Sequence, residues 1–166
     1  MALIVEDGSG LANAESYASV AELRAYCDGR GIANTMVDGV AEQLLRKGCD
    51  YLSVTYGAQL AGWRVSSRQA LDWPRAGVPR RDAGPCVYYD SAAVPLEVKR
   101  ANIEAALRAQ RGDLAPDEAQ AVKRKKVGSV EVEYQDYSSA APGYPVIDGL
   151  LAPFLAAAGG VKVIRA

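Results

Sequence analysis

Apolar residues recur at helical spacing along four stretches of the chain, and the longest interval between them replaces that rhythm with prolines, arginines and tryptophans. In the first stretch Val20, Leu23 and Tyr26 or Cys27 fall on one side, which predicts a helix over residues 19–27. Ser19 with Glu22 three positions later has the capping-box pattern, in which each side chain satisfies the other residue's backbone N–H. Asp28-Gly-Arg-Gly31 ends the run. A second helix is predicted from Asp38, as its cap, to about Tyr56, with Val40, Leu44, Leu45, Cys49 and Leu52 as its stripe. Gly48 inside it costs helix propensity but permits close packing, and Gly57 is the stop signal. Pro95 begins a third helix, at the position where a missing N–H is not needed, and the pattern runs to Arg111 before Gly112. Leu96, Arg100, Ile103 and Leu107 line one face of it, and Ala101, Ala105, Ala106 and Ala109 let neighbours approach. A last helix starts at Pro145. Val146, Leu150, Leu151, Phe154 and Leu155 make it apolar on more than one side despite Pro153, and Gly159-Gly160 closes it.

Two segments follow other rules. Val130, Val132 and Tyr134 alternate with Glu131 and Glu133, the signature of a half-buried strand. Val122 to Val127 can pair with it through a turn at Gly128-Ser129, giving a hairpin over 121–135 with a basic first arm and an acidic second arm. An isolated hairpin is marginal in water, so this one should pack on the helices or on another chain. From 57 to 94 there is no periodic pattern. Pro74, Pro79, Pro85 and Pro95 punctuate it, and a loop of this length is uncommon in a compact domain unless it is functional, disordered or held by a partner. Trp63, Trp73, Tyr88 and Tyr89 argue against disorder, so a partner is the expectation. At the start, a short apolar run followed by Asp7-Gly-Ser-Gly10 reads as a strand or arm and then a turn. Leu114 to Gln120 adds a helical turn, and Val161 to Ile164 a final edge strand. The fold expected is therefore mainly α: one domain over 1–166, a small bundle of about four helices with a long irregular loop or arm and a β-hairpin.

With 166 residues, 49% of them apolar, the chain can bury one core of ordinary size. Its net charge of −1 makes it no general magnet for nucleic acid or acidic membranes. The charge is unevenly placed. Glu6, Asp7, Glu15 and Glu22 open the chain without a cation, whereas 63–81 holds Arg64, Arg68, Arg75, Arg80 and Arg81 against Asp72 alone. Unlike regions of this kind suit head-to-tail contact between copies. Three widely spaced cysteines argue for a reducing compartment rather than a disulfide framework. Histidine is absent, which removes the commonest general base and metal ligand. No serine or cysteine has an identifiable activating base, and no carboxylate cluster has metal-site spacing. The expectation is no enzyme, no cofactor and no metal. Glu6 and Asp7 interrupt the opening apolar run, so no signal peptide is read there. Leu150 to Ala158 is far shorter than the ~20 residues that span a bilayer, so no membrane is expected.

Two sets of residues have nucleic-acid chemistry. Lys123-Arg-Lys-Lys126 is the one dense basic run and could contact phosphates by releasing counterions; a solvated hairpin arm is the plainer alternative. Trp63 and Trp73 could stack on unpaired bases, cover the core, or anchor an interface, where Trp and Arg are enriched. The residues taken as interface candidates are Trp63, Arg68, Trp73 and Arg75.

Met1 to Gly10 with Ala12-Asn-Ala-Glu-Ser-Tyr17, Gln69-Ala-Leu-Asp-Trp-Pro-Arg75 with Gly77-Val78, and Val130-Glu-Val-Glu-Tyr134 resemble, in order, segments of a family of tailed-phage proteins. So do Tyr51-Leu52, Val122-Lys123 with Val127-Gly128, and the late Tyr144, Asp148, Leu150-Leu151 and Pro153. Its members resemble head–tail connector adaptors, or head-completion proteins, and some are labelled DnaT-like single-stranded-DNA-binding proteins. The resemblance implies a ring of about a dozen copies with heterologous interfaces between portal and tail. Its partners would be the portal protein, a tail-side connector or stopper protein and the passing double-stranded DNA, which Lys123, Arg124, Lys125 and Lys126 could contact in the channel. The location implied is the virion, after assembly in the host cytoplasm. The competing implication is a replication accessory that binds single-stranded DNA. Arg30 to Asp38 and Arg80 to Asp90 depart from the family pattern.

Overall fold

A computed structural model describes residues 2–84, 86–114, 124–127, 130–133 and 143–156. It contains four helices, α1 (Val20–Asp28), α2 (Asp38–Tyr56), α3 (Leu96–Ala109) and α4 (Pro145–Leu151), and two antiparallel pairs of short strands. The expected mainly α bundle with a hairpin is what forms. β3 (Arg124–Val127) and β4 (Val130–Glu133) pair antiparallel with Arg124 opposite Glu133 and Lys126 opposite Glu131 in the backbone register.

The helix ends follow local rules. Ser19 and Glu22 form the complete capping box on α1: Ser19 Oγ accepts from Glu22 N at 3.1 Å and the Glu22 carboxylate from Ser19 N at 2.7 Å. Asp38 is the first residue of α2 rather than its cap; Val37 holds the cap position with no side-chain bond. Gly57 stays right-handed (φ −51°), and the chain runs on into a 3₁₀ turn at Gly57–Gln59. Pro95 is the N-cap of α3, with extended ψ. α4 gives way at Leu151 to a 3₁₀ turn, Ala152–Phe154. It does not continue toward Gly159, because Pro153 has no N–H to donate. Gly159-Gly160, the proposed strand at Val161 to Ile164, the turn at 115–120, Lys123 and Tyr134 lie outside the described residues.

α3 packs along α2, and α4 packs on α3. One hydrophobic cluster joins α1, α2 and α3 through Leu23, Cys27, Leu44, Leu45, Ile103 and Ala106. The other joins α2, α3 and α4 through Leu52, Tyr56, Val98, Ala105, Ile147 and Phe154. The inward face of α3 keeps the expected Ile103 and alanines but differs in its other members. Val98, Ala101, Asn102, Ile103, Ala105 and Ala106 are buried, while Leu96 is exposed. The cause is the close approach of α2. A Cβ at Gly48 would lie 2.9 Å from both Ala106 N and Asn102 O, so only small residues fit beneath it. Asn102 is the polar exception. Its Nδ2 donates to Leu45 O at 2.9 Å. Its Oδ1 accepts from Tyr17 N and Ala18 N at 3.2 and 3.3 Å and lies 2.7 Å from Ser16 Oγ, which binds the N-terminal segment to both helices.

The opening residues form no strand. They make a single parallel bridge between Val5 and Ser16, and the Asp7–Gly10 turn wraps the buried Glu6 carboxylate. That carboxylate accepts from Gly8 N, Gly10 N and Leu11 N at 2.8–2.9 Å. Part of residues 57–94 corrects the expectation of a partner-held arm, because 69–78 and Tyr89 fold on the chain's own core, whereas 79–84, 86–88 and 90–92 are exposed. Trp73 is 1% exposed and meets Phe154 edge to face at 5.3 Å, and Tyr89 packs on the same ring. Around them β1 (Trp63–Arg64) pairs with β2 (Arg75–Ala76), and Val78 and Arg80 pair with Tyr89 and Val87 through backbone bonds.

Candidate nucleic-acid interface

The irregular stretch is held by side chains that bond to backbone rather than by a ladder. Tyr17 sits under it, buried, and its hydroxyl oxygen accepts from Asp72 N at 2.9 Å and Trp73 N at 3.2 Å. Burial pushes the Tyr17 hydroxyl well above its usual range, so it stays protonated. Gln69 bridges the same turn from within, donating to Leu71 O and Pro74 O and accepting from Ser66 N. The Trp73–Pro74 peptide is cis. The Trp73 indole N–H is buried without a partner among the described residues.

Arg75 is 7% exposed. Its guanidinium donates to Ala61 O at 2.8 Å, Gly62 O at 2.9 Å, Leu60 O at 3.2 Å and Asp72 O at 3.4 Å. Burial lowers its pKa, which the nearby Asp72 carboxylate opposes. That carboxylate accepts from Ser53 Oγ and, at 2.8 Å, from Arg64.

Outside this buried layer lies an exposed one. Trp63 is 65% exposed. Part of its ring lies on Gly77, where an added Cβ would come within 2.5 Å of it, so one face is supported by backbone. Gly77 and Gly62 both have positive φ, at 71° and 68°, and a Cβ at Gly62 would stand 2.2 Å from Ala76 O. Beside Trp63 runs an open groove of about 670 Å³, lined by Ser53, Val54, Gly57, Arg64, Asp72 and Arg75. Val54 and Val65 are exposed next to it in sequence or groove, and Arg68 is exposed two residues beyond Ser66. The Arg64 side chain keeps nearly half its surface free while Asp72 takes one of its five N–H donors. An exposed ring with one face backed by protein, sharing a groove with the half-free Arg64 guanidinium, can stack a planar base and neutralise a phosphate.

A family model described as "Putative DnaT-like ssDNA binding protein" matches residues 1–166. The chain belongs to that family. No curated protein and no solved structure matches it. Membership of the DnaT-like family supports that half of the resemblance read from the sequence; nothing in the comparisons supports the head–tail connector half.

In this DnaT-like chain the four interface candidates divide. Trp63 and Arg68 are at the surface, as docking requires. Trp73 and Arg75 are inside the subunit, and the reason for placing them at an interface is gone, since their own helices and carbonyls hold them. Arg124, Lys125 and Lys126 lie on β3; Lys123 is outside the described residues. Three of the four acidic residues of the opening are engaged within the chain, while Asp7 is exposed. Glu6 closes its own turn, Glu15 pairs with Arg46 at 2.9 Å, and Glu22 pairs with Lys99 at 2.8 Å. Among the described residues no group of three or more His, Cys, Asp or Glu could hold a metal ion.

Sequence reasoning missed Tyr17, Glu6 and Asn102. Signals existed for two of them. Glu6 precedes a Gly-Ser-Gly turn rich in free N–H groups, and Asn102 interrupts an alanine stripe at an inward position. Nothing local marks Tyr17, whose partners are 55 and 56 residues away.

Proposed function

We propose that the protein binds single-stranded DNA at the groove that carries Trp63 and Arg64, with the exposed Arg68, five residues after Trp63 in the same loop, as a further phosphate contact. The observation that carries this reading is Trp63, a largely exposed indole backed by Gly77 with Arg64 in the same groove, in a chain of the DnaT-like ssDNA-binding family. Bases of every kind have a stackable face, so such a site tolerates sequence, and the arginines add a salt-dependent grip on the backbone.

The test is fluorescence anisotropy of a labelled oligo(dT) of about 20 nucleotides, titrated at several salt concentrations. Trp63→Ala is expected to weaken binding roughly 5- to 150-fold, which corresponds to the ~1–3 kcal/mol of a base–aromatic stack. The unfolding midpoint should barely change, because most of that ring is in water. Arg68→Ala is expected to reduce the slope of log K against log salt by ~0.7, one single-strand phosphate contact. Equal affinity of wild type and Trp63→Ala would end the reading.

The connector reading keeps one observation of its own. Val54, Trp63, Val65 and Tyr88 leave apolar surface exposed beside arginines, a composition that also suits a protein interface. In that reading the face meets a neighbouring copy or the portal, and Lys123 to Lys126 approach double-stranded DNA in the channel. Light scattering of the purified protein, alone and with portal protein, separates the two. Ring formation without oligo(dT) binding would favour the connector.

A further inference from the structure

We infer that Arg75 is a positioning residue for the Trp63 site, a buried guanidinium that fixes the turn from which the indole emerges. This rests on the reading of Trp63 as a stacking platform. Three successive carbonyls, those of Leu60, Ala61 and Gly62, converge on Arg75, and the next residue is Trp63. Carbonyls are acceptors only, and three partly buried ones turned to one spot are held there by a shared donor. Arginine is the side chain whose fork has enough donors to satisfy all three and also reach Asp72 O. Burying its charge has its own desolvation cost, so this arrangement is a poor way merely to fill space.

The segment containing Arg75 supports Trp63 three times. The Arg75 side chain holds the residues before the indole, Ala76 pairs with Trp63 in the strand register, and Gly77 lies under the ring. Arg75 shows only a small part of its surface at the floor of the groove, and its donors are taken by carbonyls, unlike Arg64, which it pairs with in the β1–β2 register and which keeps nearly half its side chain free. Its contribution to binding is therefore made before the ligand arrives, by removing conformations that Trp63 would otherwise have to abandon on binding.

Arg75→Met is the test variant, with oligo(dT) anisotropy across a salt series and acrylamide quenching of tryptophan fluorescence in the free protein. Trp73 is buried, so quenching reports chiefly on Trp63. The expected result is a roughly 2- to 12-fold loss of affinity, the effect of ordering one large side chain. The salt slope should be unchanged and Trp63 quenching altered. Arg75→Lys, which keeps three donors, should restore part of the affinity. Gly77→Ala disturbs the ring from the other side without touching the buried guanidinium, and it should reproduce the affinity loss and the quenching change even if Arg75→Met does not fold. A salt slope lower by ~0.7 would overturn the inference by making Arg75 a phosphate contact. Wild-type quenching in both Gly77→Ala and a folded Arg75→Met would overturn it as well. If the wild-type protein binds no oligo(dT), the DNA reading fails, whereas the quenching comparison still decides whether Arg75 positions Trp63.

Discussion

Tyr17 and Trp73 show how one residue can secure a loop that has almost no regular structure. The Tyr17 hydroxyl is the acceptor for two consecutive buried N–H groups, and Trp73, which owns one of them, fills the space against Phe154. Tyr17→Phe removes the acceptor and leaves both donors without it, at about 1–3 kcal/mol for each stranded N–H. Trp73→Ala removes the ring itself and should lower stability by about 3–5 kcal/mol through the cavity it leaves. Urea unfolding monitored by circular dichroism measures both. A Tyr17→Phe midpoint equal to wild type would mean that the two N–H groups find other partners. These effects belong to folding, and they separate Trp73 from Trp63 although both are tryptophans ten residues apart in one irregular segment. The Trp73 ring is enclosed, the Trp63 ring is mostly wet, and only the second is available to a ligand.

Among the helices, α2 and α3 cross closely. Gly48 stands where any Cβ would press on the backbone of Ala106 and Asn102, and Asn102 in turn bonds to Leu45 and the Ser16–Ala18 segment. Gly48→Ala gains up to about 1 kcal/mol of helix propensity. It must also push two helices apart, an overpacking cost of about 1–3 kcal/mol that loosens the Asn102 bonds as well. With the full propensity gain, the net expectation is a loss of up to about 2 kcal/mol. Gly39→Ala, on the same helix with nothing within 4 Å, should be neutral or stabilising by up to about 1 kcal/mol. Thermal melts of the two variants side by side make the comparison. Gly48 also marks how far the sequence could be read. Its place in the α2 stripe suggested close packing, and the periodicity of Leu44, Leu45, Cys49 and Leu52 located the helix, because both signals are local. On α3 the close approach at Ala101, Ala105 and Ala106 was legible, whereas the outward place of Leu96 and the inward place of Val98 and Asn102 were not, because which residues border Gly48 depends on where another helix comes to rest. The 57–94 stretch was legible as irregular and aromatic. Its attachment was not, since Tyr17, Gln69 and Arg75 bond to backbone groups without any repeating pattern. Trp63 was legible as a candidate, but its support on Gly77 was not.

At the scale of the whole molecule, the ionisable groups leave a wide pH range in which little changes. The chain has no histidine, so no side chain of ordinary pKa titrates between about pH 5.5 and 8. On the acid side, three glutamates are held below their ordinary value of 4.5. The Arg46 bond lowers Glu15. Burial would raise Glu22, but Lys99 and the Ser19 N–H outweigh it. Burial would likewise raise Glu104, but the Tyr26 hydroxyl and Arg108 outweigh it. A carboxyl depressed in the folded state contributes stability above its unfolded pKa and loses that contribution as pH falls through its folded one. Stability should therefore hold down to about pH 5 and fall below about pH 4.5, and Lys99→Met should flatten part of that acid limb. On the alkaline side, burial pushes the Cys49 thiol up, and burial with the Glu104 bond pushes the Tyr26 hydroxyl up to about 12. Groups raised in the folded state stabilise it below their unfolded pKa, and that stability is lost as pH rises through the thiol and phenol range from about 9 upward. Urea midpoints at a series of pH values should trace this plateau with two shoulders. The plateau also bears on the proposed site. Trp63 does not titrate and arginine stays charged throughout, so oligo(dT) affinity should be level between about pH 5.5 and 8 at fixed salt. A binding curve that bends inside that interval would have to come from a group other than those on the Trp63 face, and would move the DNA site elsewhere on the molecule.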